Sequence, residues 1–174
     1  MDEDVFVLDT SAFITGYEPA DGSVKNYTVP KVIDELADQM IKIRVLAAVD
    51  SGRLHIIEPE EEFKNKILET AETTGDSTTL SQTDVSVLSL ALQLKMSAKN
   101  PVVVTDDFAI QNLANYLKIK HKSLTTRGIS RSIRWQTYCP ACHRNFKNIV
   151  QSKVCPVCGT KLSRKPILKS TIVR

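Results

Sequence analysis

Short apolar runs alternate along the first 124 residues with longer segments whose apolar residues recur at helical spacing. The runs predict strands at 5–8, 27–29, 54–57 and 102–104 and an edge strand at 119–124. The helical spacing predicts helices over 30–49, 60–73, 83–97 and 108–117. Strands that alternate with helices are typical of a parallel sheet covered on both faces. We therefore predict a three-layer α/β/α domain with a parallel central sheet over residues 1–124.

Residues at the predicted helix ends support this reading. Pro30 stands where the first turn of a helix tolerates proline. Ser81 and Asp84 form a capping box in which Asp replaces the usual Glu or Gln. The helix that follows is apolar on most sides, which predicts burial. The acidic helix over 60–73 is expected to be exposed and to end at Gly75.

Composition narrows the class of protein. An apolar fraction of 42% suits a packed globular chain. No run of about eighteen apolar residues predicts a membrane span. The acidic N-terminus lacks the basic start and apolar middle of a secretory signal. We therefore expect a cytoplasmic protein whose four cysteines are metal ligands rather than disulfides.

The charges are divided between the two ends of the chain. Residues 1–117 hold 9 Lys and Arg against 20 Asp and Glu, a balance of −11, whereas residues 118–174 hold 14 Lys and Arg and no acid. Such segregation indicates an anionic partner for the C-terminal third, with nucleic acid the leading candidate. The alternative is a basic tail that only aids solubility. Cysteines within the basic stretch weigh against that alternative, because they indicate folded structure.

Acidic residues recur at comparable places in successive strand–helix units. Asp9 ends the first strand, Glu35 and Asp84 lie in the first turns of helices, and Asp106 and Asp107 follow the strand at 102–104. In an open parallel sheet these positions share one edge, where such folds bind ligands. We therefore expect four distant segments to bring carboxylates to one crevice.

Each acid also has a structural explanation. Asp9 and Asp106 are candidate helix caps, Asp84 favours a helix dipole, and the helical wheel does not separate Asp34 from Glu35. Taken together, clustered carboxylates repel by about 4 kcal/mol for a pair 4 Å apart at an effective dielectric of 20. A hard divalent cation, Mg²⁺ or Mn²⁺, removes that conflict and favours phosphodiester hydrolysis. The three histidines have no catalytic motif around them, and each is expected to be a surface or packing residue.

Two C-x-x-C motifs lie in the basic third. Cys139 and Cys142 form the first, Cys155 and Cys158 the second, with twelve residues between the motifs. Two such knuckles complete a tetrahedral four-thiolate Zn²⁺ site of the closed, structural kind. We therefore predict a nuclease domain at 1–124, a basic linker at 125–136, a zinc ribbon at 137–162 and a basic tail at 163–174.

Cations and aromatic residues surround the knuckles. Cations that contact phosphates and aromatics that stack on bases are a recurrent way to bind single-stranded RNA. The alternative for Tyr138 and Phe146 is that they form the small core of the ribbon. The candidate RNA-binding residues are Arg127, Arg131, Arg134, Trp135, Arg144, Lys147, Lys153, Lys161 and Arg164.

The acidic motifs, in their order, resemble the PIN nuclease domain over about residues 4–124. They are Asp9-Thr10-Ser11, Glu35 after a short strand, Asp84 opening a buried helix, and Val104-Thr105-Asp106-Asp107. The resemblance implies that Asp9, Glu35, Asp84 and Asp107 hold one or two divalent ions. Asp106 is then either a group that supports the ligands or a substitute ligand.

The stretch at 105–114 and the first cysteine motif at 138–142 sharpen the match. With them, the chain resembles the Nin-one-binding (Nob-type) family of ribosome-maturation endonucleases. That resemblance implies cleavage of precursor small-subunit ribosomal RNA at its mature 3′ end within a pre-ribosomal particle. Two alternatives are a non-catalytic RNA-binding assembly factor and a toxin-like PIN ribonuclease acting on other RNAs. Toxin-like nucleases share the nuclease domain and are expected to lack the ribbon.

Overall fold

A five-stranded parallel sheet forms the centre of the N-terminal domain. The computed structural model describes residues 4–19, 24–125, 131–146 and 153–171. The strand order is β3-β2-β1-β4-β5, and every neighbouring pair is parallel. The strands are β1 (Asp4–Leu8), β2 (Lys25–Thr28), β3 (Leu54–Ile56), β4 (Asn100–Val104) and β5 (Lys120–Lys122).

Among the residues that the structure describes, six helices cover this sheet. They are α1 (Thr10–Ile14), α2 (Pro30–Glu35), α3 (Gln39–Asp50), α4 (Glu61–Thr74), α5 (Gln82–Met96) and α6 (Phe108–Tyr116). From β1 the chain adds strands first on one side and then, from β4, on the other. Because parallel crossovers are right-handed, this reversal places the early and late helices on opposite faces. The predicted α/β/α architecture is confirmed. In the described ranges, every helix is too short or too polar to cross a membrane.

The core lies mainly between the sheet and α5. Val7 and Val103 on adjacent strands are fully buried, as are Leu88 and Leu90 of α5. The α5 helix also buries Ser89, whose hydroxyl donates to the Val85 carbonyl at 2.6 Å and so stays satisfied without water. This burial confirms the prediction made from the apolar sides of the helix.

The predicted helix boundaries are confirmed except at one place. The capping box at Ser81 and Asp84 is present in both directions, and Gly75 ends α4 with a left-handed φ of 77°. The continuous helix predicted over 30–49 is wrong, because the chain leaves helical geometry at Leu36 and restarts at α3. The Asp38 carboxylate caps α3 by accepting from the amides of Met40 and Ile41. A local side-chain cap therefore outweighed the apolar periodicity.

The basic third contains a three-stranded antiparallel sheet of order β7-β6-β8. Its strands are β6 (Arg131–Tyr138), β7 (Asn145–Phe146) and β8 (Ser163–Thr171). The segments predicted as linker and tail thus contribute the two long strands, rather than irregular chain. The two long strands pair with each other, from Tyr138 with Ser163 to Arg131 with Thr171, and a local reading does not reveal so distant a pairing. Trp135 faces Pro166 at a register shift, where the strand tolerates a residue without an amide proton.

Candidate functional site

The crevice between β1 and β4 is the topological switch point of the sheet. From β1 the chain crosses to one side and from β4 to the other, so the loops after these two neighbouring strands part. Such a point is where open α/β sheets bind ligands. Asp9 follows β1 directly, and residues 105–107 follow β4. The sequence prediction that these segments share one edge is therefore met.

Asp9 is the buried acid of this crevice, with 5% of its surface exposed. Its Oδ2 accepts hydrogen bonds from the hydroxyls of Ser11 and Thr105, both at 2.8 Å. Asp9 occupies the N-cap position of α1, yet its side chain makes no capping hydrogen bond. The structural alternative of a helix cap is therefore wrong. Asp9 therefore remains a candidate for binding a ligand.

Two hydroxyl groups connect the strand ends across the crevice. The amide of Asp106 donates to Ser11 Oγ at 3.1 Å, and the amide of Asp107 donates to Thr105 Oγ1 at 3.0 Å. Each hydroxyl also donates to Asp9, so Ser11 and Thr105 fix the loop after β4 relative to the end of β1. Sequence analysis did not select these hydroxyls, although both lie inside the motifs that carried the acids.

Glu35 at the end of α2 is held by hydroxyls from two other helices. Thr10 Oγ1 donates to Oε2 at 3.0 Å, and Thr83 Oγ1 donates to Oε1 at 2.6 Å. Thr83 is itself buried. These contacts favour Glu35 over its neighbour Asp34, a choice that the helical wheel left open. Glu35 is the acid that faces α1 and the start of α5.

Asp84 carries the electrostatic signature of the site. Partial burial, with a smaller contribution from the negative charges of Asp107 and Asp9, raises its pKa from 3.8 to about 6, against the lowering effect of the Ser81 hydrogen bonds. Mutual repulsion among carboxylates from three segments is what the sequence analysis expected of this edge. A cation bound among them would relieve that repulsion.

The adjacent acids Asp106 and Asp107 have different surroundings. Asp106 accepts hydrogen bonds from the segment after β5, namely from the Leu124 amide and from the amide and hydroxyl of Thr125, and also from the Ser123 hydroxyl. Burial alone would raise the pKa of Asp106, but these donors lower it to about 2. Asp107 uses Oδ1 to cap α6, accepting from the amide of Ala109 at 2.6 Å. The segment after β5 therefore binds the side chain of Asp106. Asp107 instead lies near enough to Asp84 to raise its pKa.

The carboxylates are spaced more widely than the sequence analysis expected. In the described part of the chain, only the four cysteines bring three or more ligand atoms within 4.8 Å of one another. Asp9 and Asp107 are near enough to raise the pKa of Asp84, but within the described residues the acids form no cluster as tight as that of the thiols.

The four thiols form a compact cluster at the end of the C-terminal sheet. In each knuckle the first cysteine amide donates to the carbonyl five residues on, and the amide four residues on donates back. The residue four positions after the first cysteine has a left-handed φ in both knuckles, 58° at His143 and 71° at Gly159. The two turns are thus near copies, as a zinc ribbon requires. No disulfide links the cysteines.

The predicted RNA contacts divide into two groups. Arg134, Arg144, Lys153 and Lys161 are exposed. Arg164 instead forms an ion pair with Asp76 and lies 5.0 Å from the ring centre of Trp135. Arg164 and Trp135 thus have partners within the protein, and their contact with RNA stays a prediction. Arg127, Lys147 and the side chain of Arg131 lie outside the described residues.

Comparison with known proteins agrees with this geometry. The family profile described as PIN domain of ribonuclease matches residues 6–94. An endoribonuclease Nob1 of Pyrococcus abyssi is 36% identical over 160 residues, which cover 92% of this chain and 92% of that protein. A ribonuclease VapC1 of Thermoplasma acidophilum is 33% identical over 171 residues, covering 98% of this chain and 82% of its own.

A eukaryotic relative matches over a shorter span. The 20S-pre-rRNA D-site endonuclease nob1 of Schizosaccharomyces pombe is 33% identical over 91 residues, which are 52% of this chain and 23% of that protein. The archaeal match runs through both the acidic crevice and the cysteine cluster. The chain therefore belongs to the Nob1 family of PIN-domain endoribonucleases.

Proposed function

We propose that this chain is a divalent-metal-dependent endoribonuclease that cuts precursor small-subunit ribosomal RNA at its mature 3′ end. Cleavage would take place in the cytoplasm, within a pre-ribosomal particle. The observation that carries the proposal is the placement of Asp9 and Asp107 after neighbouring strands at the switch point of the sheet, where both charges raise the pKa of Asp84. Thr83 ties Glu35 to the helix that carries Asp84. The relative from S. pombe, named for a pre-rRNA site, supports the choice of substrate.

The donor set of the crevice fits a hard cation. Four carboxylates offer oxygen ligands alone, which suits Mg²⁺ or Mn²⁺ better than a softer metal. Asp9 uses Oδ2 for its hydroxyl donors, and Asp107 uses Oδ1 for its helix cap, so each has a second oxygen for a ligand. When bound, the cation would lower the pKa of water and stabilise charge developing on the phosphodiester.

Hydroxyl groups next to the acids would orient the carboxylates that bind the cation. Ser11 and Thr105 fix the free oxygen of Asp9, because both hydroxyls hold the other oxygen. Thr10 and Thr83 hold Glu35 through both of its oxygens, with one hydroxyl donating to each. Hydrogen bonds of this kind to ligating carboxylates orient them and tune metal affinity. Asp106 would support the loop rather than bind the cation.

We propose that the four thiols hold one structural Zn²⁺. The closed set of cysteines leaves no open position for substrate, so the ion would contribute folding energy and no chemistry. The exposed cations near the cluster would bind the RNA backbone. The −11 balance of residues 1–117 repels RNA, so the basic third should supply much of the affinity.

Neighbouring acids provide the test of the site. With Mn²⁺ and an RNA spanning the 3′ junction of the small-subunit precursor, we expect Asp9→Asn, Glu35→Gln and Asp107→Asn each to lower the cleavage rate at least 100-fold. Asp34→Asn and Asp106→Asn remove the same charge one position away and should retain cleavage within about threefold. Equal losses in both sets would show that net charge, and not this constellation, sustains activity. Folding of each variant is checked by its circular dichroism spectrum.

A second candidate is a toxin-like ribonuclease that acts on other RNAs. The match to VapC1 extends over 98% of the chain, so the cysteine-containing third does not by itself separate the two. Cleavage of transfer or messenger RNA in preference to the ribosomal junction, with toxicity on expression, would identify this case. A chain that binds the junction RNA but leaves it intact with Mn²⁺ would instead be a non-catalytic assembly factor.

A further inference from the structure

A buried ion pair joins the C-terminal sheet to the nuclease domain. Asp76 follows Gly75 at the end of α4, and only 3% of its side chain is exposed. The Arg164 guanidinium of β8 donates to Asp76 Oδ1 at 3.2 Å, and the Asn112 amide of α6 donates to Oδ2 at 2.7 Å. Loss of one member of such a pair leaves an uncompensated buried charge. We call Asp76, Asn112 and Arg164 the junction cluster.

The junction cluster also forms hydrogen bonds with the backbone of β6. Asn112 donates to the Ile133 carbonyl at 2.9 Å and accepts from the Ile133 amide at 2.7 Å, so it pairs with the strand as another strand would. The ring of Trp135 lies against the Arg164 guanidinium. A Cβ at Gly75 would stand 2.6 Å from the Trp135 carbonyl oxygen, so the two backbones meet there without space for a side chain.

Two routes lead from the junction cluster to the carboxylates. The Asp76 carbonyl accepts from the amides of Thr79 and Leu80, which closes the turn that ends at Ser81, the cap of α5. The first turn of α5 carries Asp84. On the other route, Asn112 belongs to α6, whose cap is Asp107. Asp76 therefore links the turn before α5, through its carbonyl, with α6, through Oδ2, and these two helices present two of the four acids.

We propose that the junction cluster positions the carboxylates of the nuclease site, so that the C-terminal sheet is part of the catalytic unit as well as an RNA-binding surface. The inference rests on the proposed function. Ligating groups must be held within about 0.5 Å of their productive geometry by the residues behind them. A turn released from Arg164 would let Asp84 and Asp107 drift relative to one another. Arg164 is then a positioning residue, and the expected defect lies in kcat rather than in RNA affinity.

The full-length chain with its metals bound provides the test. We compare Arg164→Gln, Asp76→Asn and the double variant with Lys165→Gln, which removes a charge from the next residue, whose ammonium lies over Tyr138. Measurements are kcat, KM and salt dependence on a junction RNA, together with amide hydrogen exchange over residues 76–84 and 107–112. We expect Arg164→Gln to lower kcat roughly 10- to 100-fold, the range found for groups behind metal ligands, with KM within threefold.

The other readouts should follow the same pattern. Exchange over 76–84 should become faster in Arg164→Gln and stay unchanged in Lys165→Gln, whose kcat should be retained. The double variant should recover part of the lost kcat, because Asn at position 76 leaves no unpaired buried charge. Should Arg164→Gln fail to fold, Asp76→Asn carries the test alone, with lower kcat and faster exchange expected.

Specific results would overturn the proposal. A raised KM and a weaker salt dependence with unchanged kcat would make Arg164 an RNA contact. A lower melting temperature with unchanged kcat and exchange would make the pair a stabilising contact and nothing more. A wild-type chain that does not cleave would refute the proposed function, whereas the exchange data would still decide whether Arg164 orders the turn.

Discussion

Asp84→Asn should stabilise the metal-free protein at pH 8 while it destroys the catalytic site. Burial and the charges of Asp107 and Asp9 raise the pKa of Asp84 from 3.8 to about 6. Ionising this carboxyl therefore costs about 3 kcal/mol more in the folded chain than in the unfolded chain, at about 1.4 kcal/mol per tenfold. Partial exposure screens the charge, so we expect a gain of about 1 to 2 kcal/mol on removing it. The Asn carbonyl can still accept from the Ser81 amide.

The sign of the pH dependence follows from the raised pKa. The folded protein binds the proton more tightly than the unfolded chain, so the contribution of Asp84 to stability is fully present below about pH 4. It is lost as the pH rises through about 6. Wild type and Asp84→Asn should therefore have similar stability at pH 4 and separate as the pH rises. For a chain of this length the separation at pH 8 corresponds to roughly 2 to 8 °C in Tm.

The assay is thermal unfolding in chelator-treated buffer from pH 4 to 8, repeated with Mn²⁺. Added Mn²⁺ should raise the Tm of the wild type more than that of Asp84→Asn, because only the wild type keeps the complete ligand set. Asp106→Asn is the matched control of opposite sign. The lowered pKa of Asp106, about 2, contributes stability above pH 4, so that variant should be less stable than wild type at pH 8. The contrary result is a variant Asp84→Asn that is less stable than the wild type, by the same amount at pH 4 and at pH 8. That result would refute the claim that the charge of Asp84 destabilises the metal-free protein.

Three further predictions concern the C-terminal sheet and its contacts. Gly75→Ala should lower Tm clearly more than Gly52→Ala. Both glycines have a left-handed φ, but only a Cβ at position 75 would clash with Trp135. An equal decrease of Tm in the two variants, measured by thermal unfolding, would exclude the clash. Cys155→Ser with Cys158→Ser should lose the stoichiometric zinc seen by elemental analysis and unfold the ribbon, since metal binding supplies its folding energy; retained zinc would refute the ligand set. Neutralising three exposed cations should lower the salt slope of RNA binding by about 2, at about 0.7 per phosphate contact, and an unchanged slope would place the RNA elsewhere. The three are Arg144, Lys153 and Lys161.

Sequence patterns predicted the parallel sheet because its signals are local. The β-branched run at 102–104 and the apolar run at 5–8 each carry enough hydrophobicity to be recognised alone. The rule that parallel strands align their carboxyl ends then places Asp9 beside Asp107 without further information. The cysteine cluster was predicted from the sequence for the same reason, because a four-thiolate site needs only two short motifs.

Choices between neighbouring acids required the tertiary structure. Asp106 and Asp107 are equivalent in sequence, but the loop after β5 surrounds one of them with donors. Glu35 differs from Asp34 only because Thr10 and Thr83 approach it from other helices. In both cases the hydrogen bonds that distinguish the two acids come from residues distant in sequence.

The sequence alone determined the fold class, the shared edge of the acids, the cysteine cluster and the division of charge, since each depends on periodicity, short motifs or composition. Only the tertiary structure decided that the predicted linker and tail contain paired strands, and that Arg164 forms an ion pair with Asp76. The physical reason is range. A buried ion pair and an antiparallel strand pair each join residues that are far apart in the sequence. No local pattern of residues specifies which distant residue will be the partner.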